Sequence, residues 1–203
     1  MDLDAVFGAI DIYLFDQLLR RRITERDRVF DAGCGGGRNL AYMLRTGFDV
    51  QGVDADPDAI RDVRALAAAL APALPADRFR AEPIERNSFP DGVATVVISS
   101  AVLHFARDDA EFDAMLAGAW RLLAPRGMWF CRLASTIGLE SRVRQTGPAG
   151  RRYRLPDGTD RYLVDEAFLM ERTRSLGGQL LDPLKTTVVQ DQRAMTTWVV
   201  RKN

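Results

Sequence analysis

The 203-residue sequence has one histidine, His104, two cysteines, Cys34 and Cys131, and only two lysines, Lys185 and Lys202, among 28 basic residues. A lone histidine and two thiols are too few for a His/Cys metal cluster, so no metal is expected, and they make no disulfide framework. Net charge is also absent, because the 28 basic residues are matched by 28 acidic ones. That balance predicts neither a nucleic-acid partner nor an acidic tail. No apolar run approaches the ~20 residues of a membrane span. The opening Met1-Asp2-Leu3-Asp4 lacks the basic-then-apolar layout of an export signal. A cytoplasmic chain is therefore expected, monomeric or homodimeric and without a membrane partner. The scarcity of lysine reads as the codon bias of a GC-rich genome.

What is present is ordinary globular material: 47% hydrophobic and 8% aromatic residues, enough for one core. One domain over residues 1–203 is the default for this length. Short apolar runs alternate with helix-period stretches, the pattern of an α/β fold. The clearest unit reads Arg28-Val-Phe-Asp-Ala32, Gly33-Cys-Gly-Gly-Gly37, a helical stretch over 38–46, Gly47, and Phe48-Asp-Val-Gln-Gly-Val-Asp54. It predicts strand, glycine loop, helix and second strand. Asp56-Pro57 caps a helix to about Ala71, and strands follow at 79–81 and 93–99. A helix over 109–123 leads into a strand at 128–133, and a further helix over 164–176 into closing strands near 185–190 and 195–201. The result is a doubly wound, mostly parallel, seven-stranded sheet with a final antiparallel pair and its ligand site at the carboxyl ends of the strands.

The glycine loop joins a strand to a helix, where missing side chains let a ligand reach the backbone. A nicotinamide fingerprint needs a third glycine at position 38, which is Arg38, and a P-loop needs Gly-Lys-Ser/Thr where the chain has Gly37-Arg38-Asn39. Asp31, just before the loop, would repel a pyrophosphate. Asp54 ends the second strand, 21 residues after Gly33, where a carboxylate can accept from two ribose hydroxyls; the alternative is a loop-capping aspartate.

The segment Phe30-Asp31-Ala-Gly33-Cys-Gly35-Gly-Gly37 resembles motif I of the class I S-adenosylmethionine-dependent methyltransferases. Further along, Ile84-Glu85-Arg-Asn-Ser-Phe89-Pro90-Asp91 and Ser99-Ser-Ala-Val-Leu-His104 resemble the family's adenine turn and the end of its fourth strand. The resemblance implies a Rossmann-like methyltransferase fold with S-adenosylmethionine (SAM) as cofactor and S-adenosylhomocysteine (SAH) as product. It implies cofactor contacts from Asp31, Gly33, Cys34, Gly35, Asp54, Ala55, Ile84, Glu85 and Ser99. Pro83 stands where the family has an acidic residue, which leaves open whether Glu82 or Glu85 reaches the adenine. The family's Asn/Asp-Pro-Pro-aromatic signature is missing after strand four, which turns the reading away from nucleobase or glutamine amines. Gly37-Arg38-Asn39 is similar to the same tripeptide of tellurite-resistance methyltransferases, too short a likeness to name a substrate.

Methyl transfer from a sulfonium needs orientation and desolvation and sometimes a base. His104, just past strand four, is the candidate base or substrate positioner, with a structural histidine as the other reading. Residues 1–27 are expected to form a helical lid in which Tyr13 touches the cofactor and Phe15 packs inside. Residues 134–162 read as an insertion over the active site, and its six arginines are either guanidinium forks for an anionic acceptor or a solvated loop. The acceptor is read as a small molecule. A non-catalytic SAM-binding sensor or assembly protein is the first alternative, and a nicotinamide-dependent oxidoreductase the second. Gly33→Val or Asp54→Ala is expected to abolish cofactor binding with the fold intact.

Overall fold

The computed structural model describes residues 2–147 and 150–203. Met1, in the expected lid, and Pro148 and Ala149, in the expected insertion, lie outside the described residues. Helices α1 (Leu3–Phe7) and α2 (Ile12–Leu19) come first, then β1 (Arg28–Ala32), α3 (Ala41–Arg45), β2 (Asp49–Asp54), α4 (Pro57–Leu70) and β3 (Phe79–Ala81). They are followed by β4 (Ala94–Ser100), α5 (Asp109–Leu122), β5 (Leu123–Ala134), and the short strands β6 (Arg144–Gln145), β7 (Arg152–Arg154) and β8 (Asp160–Tyr162). Helix α6 (Glu166–Ser175) and strands β9 (Gly178–Leu180), β10 (Lys185–Val189) and β11 (Arg193–Lys202) complete the order.

The main sheet runs β10-β11-β5-β4-β1-β2-β3, with β9 also pairing β11. Strands β5, β4, β1, β2 and β3 are mutually parallel, while β11 is antiparallel to β5, β9 and β10. The doubly wound, mostly parallel architecture is the one expected, with β9 as an eighth strand. With Leu180 its single apolar residue beside Gly178 and Gln179, β9 has no apolar run to mark it, and it forms by pairing along β11.

Side-chain alternation sends each strand's residues to opposite faces. Phe30, Val97, Trp129, Cys131 and Trp198 pack under α5 and α6, whereas Val29, Val96, Ile98, Phe130 and Val199 pack with α2, α3 and α4. The indole of Trp198 is buried and donates to Thr173 Oγ1 at 2.9 Å, so its burial leaves no orphaned donor on that ring. Each such aromatic, fully removed from water, contributes roughly 1.5–3 kcal/mol.

The N-terminal stretch is two helices rather than one. Gly8 at φ +59° breaks the chain, and Asp11 starts α2 anew by accepting the Tyr13 N–H. The glycine loop is likewise followed by tight turns, Gly37 N–H to Cys34 O and Leu40 N–H to Gly37 O, which delay α3 to Ala41. Residues 134–162 contain a separate antiparallel sheet, β6-β7-β8, in which a turn from Leu155 to Thr159 joins β7 to β8. It rests on the segment after β4: Arg152 Nη1 donates to Ala106 O at 3.1 Å, and the Arg161 guanidinium lies 4.9 Å from the Phe105 ring centre. Among the described residues no helix is long and apolar enough to cross a membrane.

Candidate active site

Three of the four glycines between β1 and α3 have different reasons to be glycine. A Cβ on Gly33 would stand 2.5 Å from Val102 Cγ2, and one on Gly37 would stand 2.8 Å from Val63 Cγ2 of α4. Both are places where protein packs against backbone. Gly35, at φ +51°, has no protein atom within 4 Å of where a Cβ would point. Its amide donates to Asp54 Oδ2 at 2.8 Å, while Asp54 Oδ1 accepts from Asp56 N at 2.9 Å. Asp54 is therefore held in place by two backbone amides and retains further lone pairs on both oxygens.

In front of Gly35 lies a cavity of ≈ 670 Å³ walled by Gly33, Cys34, Arg38, Asp54, Ser100 and Val102. Next to it is a cleft of ≈ 240 Å³ that takes in Ala55, Pro83, Ile84, Glu85 and Met115. Gly33, Asp54, Val102 and Phe105 wall both. Six of the expected cofactor residues outside β1 thus converge here: Gly33, Gly35, Asp54, Ala55, Ile84 and Glu85, with Cys34 as a seventh. Glu82 and Glu85 are placed differently. Glu82 accepts from Ser88 N and Ser88 Oγ at 2.6 and 2.7 Å, leaving Glu85 at the cleft.

Asp31 sits behind the loop on β1, buried, and neither carboxyl oxygen has a hydrogen-bond partner among the described residues. Burial pushes its carboxyl up to about 8, against the pull of the Arg38 guanidinium and with the Asp54 charge adding to the rise. Asp31 itself lines neither cavity; a buried, unpartnered carboxyl favours a nearby cation, because an arriving positive charge supplies what burial removed. The donor set therefore fits SAM: an open glycine for the backbone approach, a carboxylate with free lone pairs for hydroxyls, and a buried acid for the cationic end.

Besides Asp31, two expected contacts lie outside both cavity walls. Ser99 is fully buried and shares the face of Val97 under α5, while alternation brings Ser100 to the cavity. Tyr13 is absent from the cavity wall. Its hydroxyl shares a hydrogen bond with Thr187 Oγ1 at 2.5 Å, and its ring lies 5.3 Å from the Arg132 guanidinium. The N-terminal residue at the cavity is Ala9, whose carbonyl accepts from Arg38 Nη1 at 3.2 Å. Asp11 beside it ties this segment down, accepting from Arg132 Nη1 at 3.0 Å, with its own amide given to Asn39 Oδ1 at 3.0 Å.

His104 lies outside both volumes, in a third one of ≈ 290 Å³ that meets the first at Ala101. Its Nδ1 accepts the Ala134 N–H at 3.2 Å, so the neutral ring must carry its proton on Nε2. Burial first, then the charges of Arg161 and Arg132, push the imidazole down to about 4. With one nitrogen engaged and the other protonated, the ring presents a donor and not a base. Ala101, at the junction, holds φ +64°, and its amide donates to Arg132 O at 2.7 Å. A non-glycine residue in that conformation costs of order 1–3 kcal/mol and is characteristic of functional sites.

Sequence reasoning passed over Arg38, Ser100, Val102 and Phe105 as wall residues. Strand alternation was the available signal for Ser100. Phe105, 56% exposed at the mouth of both cavities, gives no local signal beyond being an aromatic residue after a strand end.

Residues 29–127 match the methyltransferase domain family. An uncharacterized methyltransferase of Bacillus subtilis, YodH, is 30% identical over 129 residues, which cover 64% of this chain and 49% of the relative. The chain spans about half the length of the curated relatives it matches. Among solved structures, the PH0226 protein of Pyrococcus horikoshii superimposes with a TM-score of 0.71 at 18% identity, covering 95% of this chain and 89% of that one. The 1,6-didemethyltoxoflavin-N1-methyltransferase of Burkholderia thailandensis, solved with 1,6-didemethyltoxoflavin and SAH, gives 0.68 at 21% identity, covering 100% and 81%. Fold, glycine loop and family match agree: residues 29–127 match a methyltransferase domain, set in a chain with the fold of solved methyltransferases.

Proposed function

We propose that the chain transfers a methyl group from SAM to a small-molecule acceptor in the cytoplasm. The observation that carries this reading is Asp31, a buried carboxyl with two unpartnered oxygens behind a glycine loop that faces open space at Gly35. Asp31 would take the cationic end of SAM, Asp54 the ribose hydroxyls, and Ala55, Ile84 and Glu85 the adenine side. When bound, SAM supplies an already activated electrophilic methyl group, so no protein nucleophile is required. The chain's own contribution is orientation and exclusion of water. Phe105 and the Ala9 segment cover the cavity, and His104 positions the acceptor as an Nε2–H donor. A small acceptor is supported by the 1,6-didemethyltoxoflavin-N1-methyltransferase, a protein of the same fold that holds 1,6-didemethyltoxoflavin together with SAH.

Thermal unfolding with SAM, SAH and NAD tests the cofactor. A ligand at 100 times its Kd adds about 2.7 kcal/mol, which for this size raises Tm by roughly 5–10 °C. SAM and SAH are expected to give this shift and NAD none; a shift from NAD alone overturns the reading. Formation of SAH on addition of acceptor separates the enzyme from a SAM-binding sensor.

A further inference from the structure

We propose that the acceptor is a small monocarboxylic acid, and that Arg161 and Arg193 hold its carboxylate in the ≈ 290 Å³ chamber beside His104. The proposal deepens the methyl-transfer reading and relies on it only for which end of the acid reacts.

The chamber has three walls from distant parts of the chain. Ala101, His104 and Arg132 come from the ends of β4 and β5, Asp157 and Arg161 from the β7–β8 hairpin, and Arg193 from the start of β11. Other arginines of the 134–162 segment are engaged: Arg142 pairs with Asp191, Arg151 with Asp165, Arg154 with Asp160, and Arg152 reaches the Ala106 carbonyl. Arg161 and Arg193 form no ion pair among the described residues; Arg161 donates only to the neighbouring Asp160 carbonyl at 2.8 Å and lies against Phe105. Arg132, the third, gives Nη1 to Asp11 but keeps a buried Nε without a partner.

Charge counting selects the ligand. Asp11 answers Arg132, and the charge of Asp157, which lines the chamber near both Arg161 and Arg193 without pairing either, offsets one of those two, while its Oδ1 is engaged by Thr159 N and Oγ1 at 2.9 and 2.6 Å. One positive charge is left over. A planar guanidinium fork matches a carboxylate, and a neutral imidazole Nε2–H adds a donor with no further charge. A carboxylate held by guanidinium is a poor nucleophile, so it serves as the handle. The reacting atom lies at the other end, toward Ala101, whose residue is common to this chamber and the cofactor cavity.

The single histidine makes the test direct, since its imidazole resonances report chamber occupancy without ambiguity. Isotope-labelled protein loaded with SAH is titrated with acetate and benzoate, with acetamide and benzamide as uncharged matches, and with inorganic phosphate. The carboxylates are expected to shift the His104 signals, with the amides at least tenfold weaker. In Arg161→Gln/Arg193→Gln the benzoate response is expected to fall at least tenfold while SAH affinity is unchanged. Equal responses to acid and amide, a response to phosphate alone, no response at all, or a variant that responds like the parent each overturn the proposal. Failure of SAH to bind overturns the cofactor reading instead, and the carboxylate titration without SAH still decides the chamber.

Discussion

Gly118 of α5 lies so close to the Ile84 carbonyl that a Cβ on it would stand 2.5 Å from that oxygen and 2.7 Å from Glu85 Cα. The helix presses its bare backbone against the 3-10 turn Ile84–Arg86 that lines the adenine-side cleft. Arg121, one turn on, fastens the same segment by donating to Phe89 O, Asn87 Oδ1 and Asp91 Oδ1.

Glycine to alanine inside a helix ordinarily gains about 1 kcal/mol. Gly118→Ala is expected to reverse that sign and lose about 1–3 kcal/mol by overpacking. It should also weaken SAH binding, because the turn must move while the cavity itself gains no atom. Urea unfolding and calorimetric titration read the two effects separately.

Gly33 and Gly35 separate packing from binding. Gly35→Ala is expected to cost about 1–2 kcal/mol for its left-handed backbone and to raise the SAH Kd at least tenfold, because its methyl enters the cavity. Gly33→Ala adds a collision with Val102 to the same backbone penalty, so it should unfold earlier than Gly35→Ala. The expectation that Gly33→Val spares the fold is corrected by that contact.

Asp31 makes cofactor binding proton-linked. A carboxyl at about 8 is about nine-tenths protonated at pH 7; binding a cation should expel that proton. Titration calorimetry at pH 7 in buffers of different ionisation enthalpy is expected to show release approaching one proton, and none in Asp31→Asn, which should bind weakly. The folded value lies above the unfolded one, so the ligand-free chain loses stability from pH ~4 up through about 8. Above pH 8 Asp31→Asn should therefore be the more stable protein; equal stability there would show that the carboxyl is not buried in solution.

Much of this was legible in the sequence. The parallel strands β4 and β5 announced themselves as β-branched or apolar runs, β3, Phe79-Arg-Ala81, gave only a weak signal, and the glycine loop with Asp31 and Asp54 named its own neighbourhood. What failed depended on the third dimension. Ser99 and Ser100 are adjacent in sequence, and only the register of β4 against β5 assigns one to the interior and the other to the cavity. Tyr13 was judged by its polar tip, yet Thr187, 174 residues away, receives that tip. His104 was open between base, substrate positioner and structural histidine, and the Ala134 N–H with two arginines from remote strands make it a neutral donor.

For His104 the folded value, about 4, lies below the unfolded 6.5, so its contribution to stability is complete above pH 6.5 and disappears as the pH falls toward 4. His104→Asn, whose amide oxygen can still accept the Ala134 N–H, is expected to fold and to flatten that part of the acid limb, by up to about 1.4 kcal/mol per pH unit. Turnover between pH 6 and 8 should show no inflection belonging to His104; an inflection abolished by this substitution would restore the base.

Both sulfhydryls lie inside, Cys34 4% exposed in the glycine loop and Cys131 fully covered in the sheet, and burial pushes both thiols well above their usual range. Alkylating reagents must therefore wait for the chain to open, and each cysteine becomes a clock for a different opening. Cys34 times the breathing of the loop, Cys131 the rupture of the sheet, so a donor seated on the loop should slow the first clock more than the second.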